Sequence, residues 1–185
     1  GKTVVITGSS RGVGADTAKI LAGQGANVVV NYRQKAPRAN KVVQQIEEAG
    51  GKAVAVGADL TDDQGISPLL QAAQDSFGSV DVVILNASGG MESDLGEDYA
   101  MRLNRDAQVR ALETAAEALP QGGVLVGLHS TLPTFGTPDL ESVQPIYLTD
   151  KGEKLGGARG LNRNNSKALT VRAKPGYAVG SIVVH

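Results

Sequence analysis

Short apolar runs alternate along the chain with longer segments in which apolar residues return every three or four positions. A continuous apolar run bounded by turn residues is typical of a strand buried on both faces, whereas the three-to-four spacing is typical of an amphipathic helix. The runs predict strands over residues 3–7, 27–31, 53–56, 81–85, 123–128 and 177–184. Helical patterns fall between most of these strands.

Glycine and proline mark the ends of four predicted helices. The first runs from about residue 12 to residue 24 and stops at Gly25, a residue suited to a left-handed cap. The second covers about residues 37–49 and ends at a Gly-Gly pair. The third lies between residues 61 and 77 and restarts at Pro68, because proline fits only the first turn of a helix. The fourth covers about residues 98–119.

Strands separated by helices of this length pair in parallel through right-handed crossovers. The pattern therefore predicts the α/β class, with one doubly wound parallel sheet flanked by helices on both faces. A single domain over residues 1–185 accounts for the whole pattern. In such sheets ligands bind beyond the carboxyl ends of the strands.

Composition narrows the classes of site. Hydrophobic residues make up 41% of the 185 residues and aromatic residues only 3%, which favours an aliphatic core. The chain has no cysteine and two histidines, so we expect neither disulfides nor a metal centre, and the composition is compatible with the cytoplasm. The net charge of −1 and the lack of an apolar run of about 20 residues indicate neither a nucleic-acid nor a membrane partner.

A glycine loop covers residues 7–14, between the first predicted strand and the first predicted helix. Its glycines, Gly8, Gly12 and Gly14, would permit a tight turn and a close approach of backbone to a ligand. A strand that turns directly into a helix aims N–H groups and the positive end of the helix dipole at one point, which favours a phosphate. An ordinary turn in a glycine-rich chain is the alternative.

The end of the second strand is basic rather than acidic. Asn31 and Arg33 occupy it, Lys35 and Arg38 follow, and Arg11 lies in the glycine loop. An acidic residue at this position binds the ribose 2′-hydroxyl of NAD(H), whereas a guanidinium suits a 2′-phosphate. The residues favour NADP(H) over NAD(H), and a solvated basic loop is the alternative.

Several motifs, taken in order, resemble the short-chain dehydrogenase/reductase family and especially its ketoacyl-reductase-like members. They are Thr7-Gly8-x-x-x-Gly12-x-Gly14, Asn31-Tyr32-Arg33, Asp59-Leu60, Asn86-Ala87-Ser88-Gly89, Asn104 and a late Ser/Tyr/Lys set. The resemblance covers roughly residues 1–155. It implies a Rossmann-type fold and oxidation or reduction of a small carbonyl or alcohol substrate with a nicotinamide cofactor.

The resemblance also implies which residues bind the cofactor. Asp59 would contact the adenine amino group and Leu60 would flank the ring, although Asp59 could instead cap the next helix. Ser88 stands where the family has glycine in the motif after the fourth strand. The implied cofactor-binding residues are Gly8, Ser10, Arg11, Gly12, Val13, Gly14, Asn31, Tyr32, Arg33, Asp59, Leu60, Asn86, Ala87, Ser88 and Gly89.

The implied catalytic residues are Asn104, Ser130, Tyr147 and Lys151. In the family the serine holds the carbonyl, the tyrosine moves the proton, the lysine lowers the tyrosine pKa, and the asparagine kinks its helix and anchors a water. Tyr147 and Lys151 form a Y-x-x-x-K pair, a spacing that places both on one face of a helix. Asp150 and Gly152 depart from the family pattern, so Lys154 remains a rival.

The resemblance implies an NADP(H)-dependent oxidoreductase that forms a homo-oligomer, a dimer or a tetramer. The family usually continues beyond the sixth strand, so we expect the substrate-covering segment to be lacking here. A non-catalytic NADP(H)-binding domain is the alternative. A methyltransferase that uses S-adenosylmethionine fits less well, because Arg33 stands where such enzymes commonly place an acidic ribose ligand.

Overall fold

The architecture is that of a computed structural model. It describes residues 1–89 and 98–127 in full. It describes only the backbone of residues 128–130, 142–143, 146–149, 152–155, 159–160 and 178–184.

The strands form one large parallel sheet and two small antiparallel pairs. In chain order they are β1 (Thr3–Ile6), β2 (Asn27–Tyr32), β3 (Lys52–Gly57), β4 (Val82–Leu85), β5 (Val124–Ser130), β6 (Ser142–Val143), β7 (Ile146–Thr149), β8 (Gly152–Leu155), β9 (Arg159–Gly160) and β10 (Ala178–Val184). The large sheet has the order β10-β5-β4-β1-β2-β3, and all of its neighbouring strands pair in parallel. The predicted doubly wound sheet is confirmed.

Helices connect the first five strands of this sheet. They are α1 (Gly12–Gly23), α2 (Ala36–Glu48), α3 (Ser67–Phe77), α4 (Tyr99–Met101), a π-helical turn (Arg102–Asp106) and α5 (Ala107–Ala118). The fourth predicted helix is therefore interrupted, which the apolar spacing did not indicate. Among the helices that the structure describes, none is long and apolar enough to cross a membrane.

The sheet is covered on both faces, as its uninterrupted apolar strands require. One core packs α1 and α2 against Val4, Ile6, Val28 and Val30. The other packs α3, α4 and α5 against Val5, Val29, Val83 and Leu85. Adjacent residues of β1, β2 and β4 thus point to opposite cores, and the two faces together fix the strand register.

A polar cluster joins β1 to β4 at the amino edge of the sheet. Asp81 accepts hydrogen bonds from the Lys2 ammonium at 2.7 Å, the Thr3 N–H at 2.9 Å and the Ser79 hydroxyl at 3.1 Å. The Lys2 ammonium and the Thr3 N–H lower the pKa of the Asp81 carboxyl, against a smaller opposing effect of burial. The cluster is a structural contact on the edge opposite to the carboxyl ends.

The helix expected around Tyr147 is wrong. Tyr147 lies in β7, which pairs with β8 in an antiparallel register that places Tyr147 opposite Lys154. β-branched Ile146 and Thr149 favour a strand, and Gly152 costs about 1 kcal/mol relative to alanine inside a helix. The four-residue spacing to Lys151 therefore does not place the pair on one helix face.

Candidate functional site

A cleft of about 280 Å³ lies at the carboxyl edge of the sheet, beyond the ends of β1, β2, β3 and β4. Its lining comes from the end of β2, the loops that follow these four strands, the first turn of α2 and the helix that begins at Tyr99. The lining residues are Gly8, Ser10, Arg11, Asn31, Tyr32, Arg33, Gln34, Lys35, Arg38, Ala58, Asp59, Leu60, Ala87, Ser88, Gly89, Tyr99 and Leu103. Eleven of the fifteen residues implied to bind the cofactor are among them.

The remaining four, Gly12, Val13, Gly14 and Asn86, do not line the cleft but shape the loop beside it. Gly8 has a φ of 64°, a left-handed conformation, and a Cβ there would lie 2.8 Å from Ala87 Cα. A Cβ on Gly14 would lie 2.5 Å from Asn86 Nδ2. Any larger residue at either position would push the glycine loop away from the end of β4.

Thr7 and Asn86 fasten the glycine loop to β4. The Thr7 hydroxyl accepts hydrogen bonds from the N–H groups of Asn86 at 2.9 Å and Ala87 at 3.0 Å. In return, Asn86 Nδ2 donates to the carbonyl oxygens of Thr7 at 2.9 Å and Gly8 at 3.3 Å. Asn86 therefore acts on the loop rather than on the space of the cleft.

Asn31 fastens the same loop to β2 and β3. Its Oδ1 accepts the Gly8 N–H at 2.9 Å, and its Nδ2 lies within 3.4 Å of three carbonyl oxygens at the ends of β2 and β3. The Ser9 hydroxyl completes the link by accepting the Asn31 N–H at 2.9 Å. Asn31 is 3% exposed, so its amide chiefly holds the cleft wall.

The amino end of α1 lies within the glycine loop, and its first N–H groups are not part of the hydrogen-bond pattern of the helix. The first backbone bond of the helix joins the Ala15 N–H to the Arg11 carbonyl at 3.3 Å, so the N–H groups of residues 12–14 precede the helical ladder. In the described structure no side chain caps this end, and its first turn has no acidic residue. Such an end stabilises a bound anion.

The cleft is strongly basic. Arg11, Arg33, Lys35 and Arg38 line it, and Asp59 is the one carboxylate among the lining residues. Asp59 does not cap α3, which begins at Ser67. Its Oδ1 instead accepts the N–H and the hydroxyl of Thr61, at 2.9 and 2.7 Å. The lining therefore carries an excess of positive charge where β2 ends.

Tyr99 is a cleft residue that the sequence reasoning missed. The Arg33 guanidinium donates a hydrogen bond to the Tyr99 hydroxyl and lies over its ring, with Cζ 5.0 Å from the centroid. The available signal was its place in the first turn of the helix after β4, where a side chain can face the carboxyl edge. Leu103, four residues further on, also lines the cleft.

The π-helical turn holds the segment that follows β4. Asn104 Nδ2 donates to the Gly89 carbonyl at 2.8 Å, and its Oδ1 accepts the Gly89 N–H at 3.3 Å. Gln108, which the sequence reasoning also missed, donates to the Ala87 carbonyl at 2.8 Å. The helix kink expected at Asn104 coincides with this turn, and a water or lysine contact at Asn104 stays a prediction.

The predicted catalytic set is only partly placed. Ser130 is the last residue of β5, at the carboxyl edge of the sheet and opposite Val184 in register. Tyr147 and Lys154 lie in β7 and β8, whereas Lys151 lies outside the described residues. Their roles stay predictions. Among the residues that the structure describes, no three His, Cys, Asp or Glu side chains group as metal ligands.

The family model of short chain dehydrogenases matches residues 2–137. The chain belongs to the short-chain dehydrogenase family. That match includes the whole glycine loop, the cleft lining and Ser130.

Relatives within the short-chain dehydrogenase family include named oxidoreductases. An uncharacterized oxidoreductase of Methylorubrum extorquens is 35% identical over 97% of this chain and 74% of its own length. A probable tetrahydroxynaphthalene reductase of Zymoseptoria tritici is 38% identical over 82% of this chain and 58% of its own length. These relatives confirm the resemblance to reductases of this family.

A solved short-chain dehydrogenase-like structure shares the fold. The landomycin C-6 ketoreductase LanV, solved with bound NADP and rabelomycin, has a TM-score of 0.63 and 30% identity. The likeness covers 75% of this chain and 62% of LanV. The chain thus spans somewhat less than two thirds of this ketoreductase.

Proposed function

We propose that this chain is the cofactor-binding part of an NADP(H)-dependent carbonyl reductase or alcohol dehydrogenase. The observation that carries the proposal is the basic cleft where β2 ends, with Arg33 on one wall and the glycine loop on another. The reductase names of its relatives and the NADP bound by LanV support it.

The described residues fit a dinucleotide that carries a 2′-phosphate. Gly8 and Gly14 let the glycine loop pack directly against the end of β4, and the uncapped start of α1 suits a diphosphate. Arg33, with Arg11 nearby in the lining, suits a 2′-phosphate. Asp59 Oδ1 is engaged by Thr61, so any contact of Asp59 with an adenine amino group falls to Oδ2.

When bound, the nicotinamide supplies or takes up a hydride. This chain would orient the substrate oxygen through Ser130 and move the proton at the Tyr147 phenol. A nearby lysine ammonium, Lys151 or Lys154, would favour the ionised phenol by its charge. Association into a homo-oligomer and a location in the cytoplasm are part of the same proposal.

Cofactor binding can be measured without turnover. Calorimetric titration with NADPH and NADH is expected to show tighter binding of NADPH by about 10- to 100-fold, the range of one or two charge-assisted hydrogen bonds. Arg33→Ala is expected to remove most of this preference. Equal affinity of the unaltered protein for both cofactors contradicts the NADP(H) proposal.

Catalysis is tested separately. Tyr147→Phe is expected to abolish NADPH-dependent reduction of a carbonyl panel while NADPH binding persists. Tyr177→Phe, which changes a tyrosine outside the predicted catalytic and cofactor-binding residues, serves as the control. Lys151→Ala and Lys154→Ala, compared over a pH series, identify the lysine that supports the tyrosine. Full activity of Tyr147→Phe contradicts the assignment of Tyr147.

A non-catalytic NADP(H)-binding domain is the second candidate. The observation that favours it is the strand at Tyr147, where the family motif calls for a helix. NADPH binding without turnover of any carbonyl in the panel would support this candidate over the first.

A further inference from the structure

An exposed arginine of the cleft is held by a buried tyrosine from a distant part of the chain. Arg33 follows β2, and Tyr99 begins α4, 66 residues later. The guanidinium makes two contacts with this one residue, a hydrogen bond to the hydroxyl and a stacking contact with the ring. Both partners line the cleft.

Tyr99 is a rigid anchor. It is 6% exposed and packs in the same core as Leu60, Leu103 and Leu85. Arg33, in contrast, is exposed and would otherwise sample many rotamers. A contact with a fixed ring and hydroxyl restricts that freedom before any ligand binds, which is how a site gains affinity from pre-organisation.

The anchor orients the guanidinium without neutralising it. Within the described part of the chain, Arg33 takes part in no ion pair. A carboxylate in place of the phenol would hold Arg33 equally well but would cancel its charge. A neutral acceptor leaves the full charge, and the remaining N–H donors, for an anion in the cleft.

We propose that Tyr99 is a positioning residue that sets the preference for the 2′-phosphorylated cofactor by holding the Arg33 guanidinium at the cleft wall. The inference rests on the proposed function. It adds that cofactor specificity depends on two residues. Arg33, at the end of β2, supplies the charge, and Tyr99, at the start of α4, fixes the position of the guanidinium.

A second arginine on the same ring provides a matched control. Arg102 Cζ lies 5.8 Å from the centroid of the Tyr99 ring, but Arg102 does not line the cleft. Removal of Arg102 deletes one positive charge and one stacking contact from the same tyrosine. Its effect therefore measures what charge and ring packing contribute without the cleft contact.

The test uses 2′,5′-ADP and 5′-ADP as probes, because they differ by the 2′-phosphate and carry no nicotinamide. Calorimetric Kd values are measured for the unaltered protein and for Tyr99→Phe, Arg33→Ala, Arg102→Ala and the double variant Tyr99→Phe/Arg33→Ala. Melting temperatures check that each variant folds.

We expect Tyr99→Phe to weaken 2′,5′-ADP binding by about three- to tenfold, the range of the net contribution of one typical hydrogen bond, with 5′-ADP binding changed less than about twofold. We expect the double variant to match Arg33→Ala, because Tyr99 acts through Arg33. Arg102→Ala is expected to change the ratio of the two Kd values by less than about twofold at 0.15 M salt.

Two results overturn the inference alone. In the first, the unaltered protein prefers 2′,5′-ADP but Tyr99→Phe weakens both probes equally, so that Tyr99 only shapes the pocket. In the second, Tyr99→Phe has no effect on either probe. If the unaltered protein shows no preference for 2′,5′-ADP, the NADP(H) proposal itself fails, and the inference fails with it.

Discussion

Thr7→Val is a clean probe of how the glycine loop is held, because valine keeps the size of threonine and removes only the hydroxyl. The hydroxyl accepts two backbone N–H groups, from Asn86 at 2.9 Å and Ala87 at 3.0 Å, and Thr7 is fully buried. Valine leaves both donors without this acceptor. An unsatisfied buried donor costs about 1–3 kcal/mol, and both donors are only part-buried, so we expect a loss of about 2–3 kcal/mol.

The loss is measured by urea unfolding at pH 7 and by thermal melting. At about 2–4 °C per kcal/mol for a domain of this size, the melting temperature should fall by about 4–12 °C. Thr17→Val is the matched control, because Thr17 is half-buried in α1 and makes no side-chain hydrogen bond within the described structure. If Thr7→Val melts within about 1 °C of Thr17→Val, the Thr7 bridge contributes nothing and the reasoning is refuted.

Three further predictions concern other contacts. Gly14→Ala should destabilise the protein by about 1–3 kcal/mol in urea unfolding, because its Cβ would lie 2.5 Å from a side-chain nitrogen. Gly23→Ala, which has open space around it, should instead stabilise the protein by about 0.5 kcal/mol. A change of the same sign in both variants would contradict this prediction. The pKa of Asp81 is lower in the folded protein than its unfolded value of about 3.9, so the ionised carboxylate stabilises the fold at pH values above that unfolded pKa. This stabilisation is lost as the pH falls through the lower pKa of the folded protein. Asp81→Asn should therefore flatten the pH dependence of the unfolding free energy below about pH 4, and an unchanged slope would count against it. Asn104→Ala removes two hydrogen bonds from Gly89 and should speed hydrogen exchange at the Gly89 amide by at least about tenfold, and unchanged exchange would show that the bonds do not hold this segment.

The large sheet could be predicted because each of its strands is visible in the local sequence pattern. Its strands are apolar runs bounded by glycine or polar residues, and the parallel pairing of β1 to β5 follows from the helices between them. The cleft followed from the same logic, because the glycine loop and the β2 end meet at one edge. Arg33 and Gly8 were both predicted to lie at this edge, and both line the cleft.

Contacts between distant segments could not be predicted in this way. Nothing in the local pattern around Tyr99 states that its hydroxyl meets Arg33. Asn31 appeared as a ligand contact from its position, yet its amide holds the Gly8 N–H. Some side chains near a predicted site face the ligand, and others hold the surrounding loops in place. The sequence does not distinguish the two groups, because the difference depends on tertiary packing.

Tyr147 shows a different limit. A Y-x-x-x-K spacing has meaning only on a helix, and spacing alone does not establish that the helix forms. The β-branched neighbours and Gly152 favour a strand there. A motif match therefore needs the local propensity of its own residues in support.

The π-helical turn changes which residues of the following helix face the sheet. Tyr99, Leu103, Ala107, Ala111 and Ala115 are all buried in one core and recur at every fourth residue. In a regular α-helix of 3.6 residues per turn, each such step drifts by about 40°, so Tyr99 and Ala115 would differ by about 160°. One extra residue in the turn at Arg102–Asp106 takes back about 100° of that drift. In an uninterrupted α-helix, either Tyr99 or the buried alanines would point away from the sheet. The π-helical turn therefore lets one segment contribute both to the core and to the lining of the cleft.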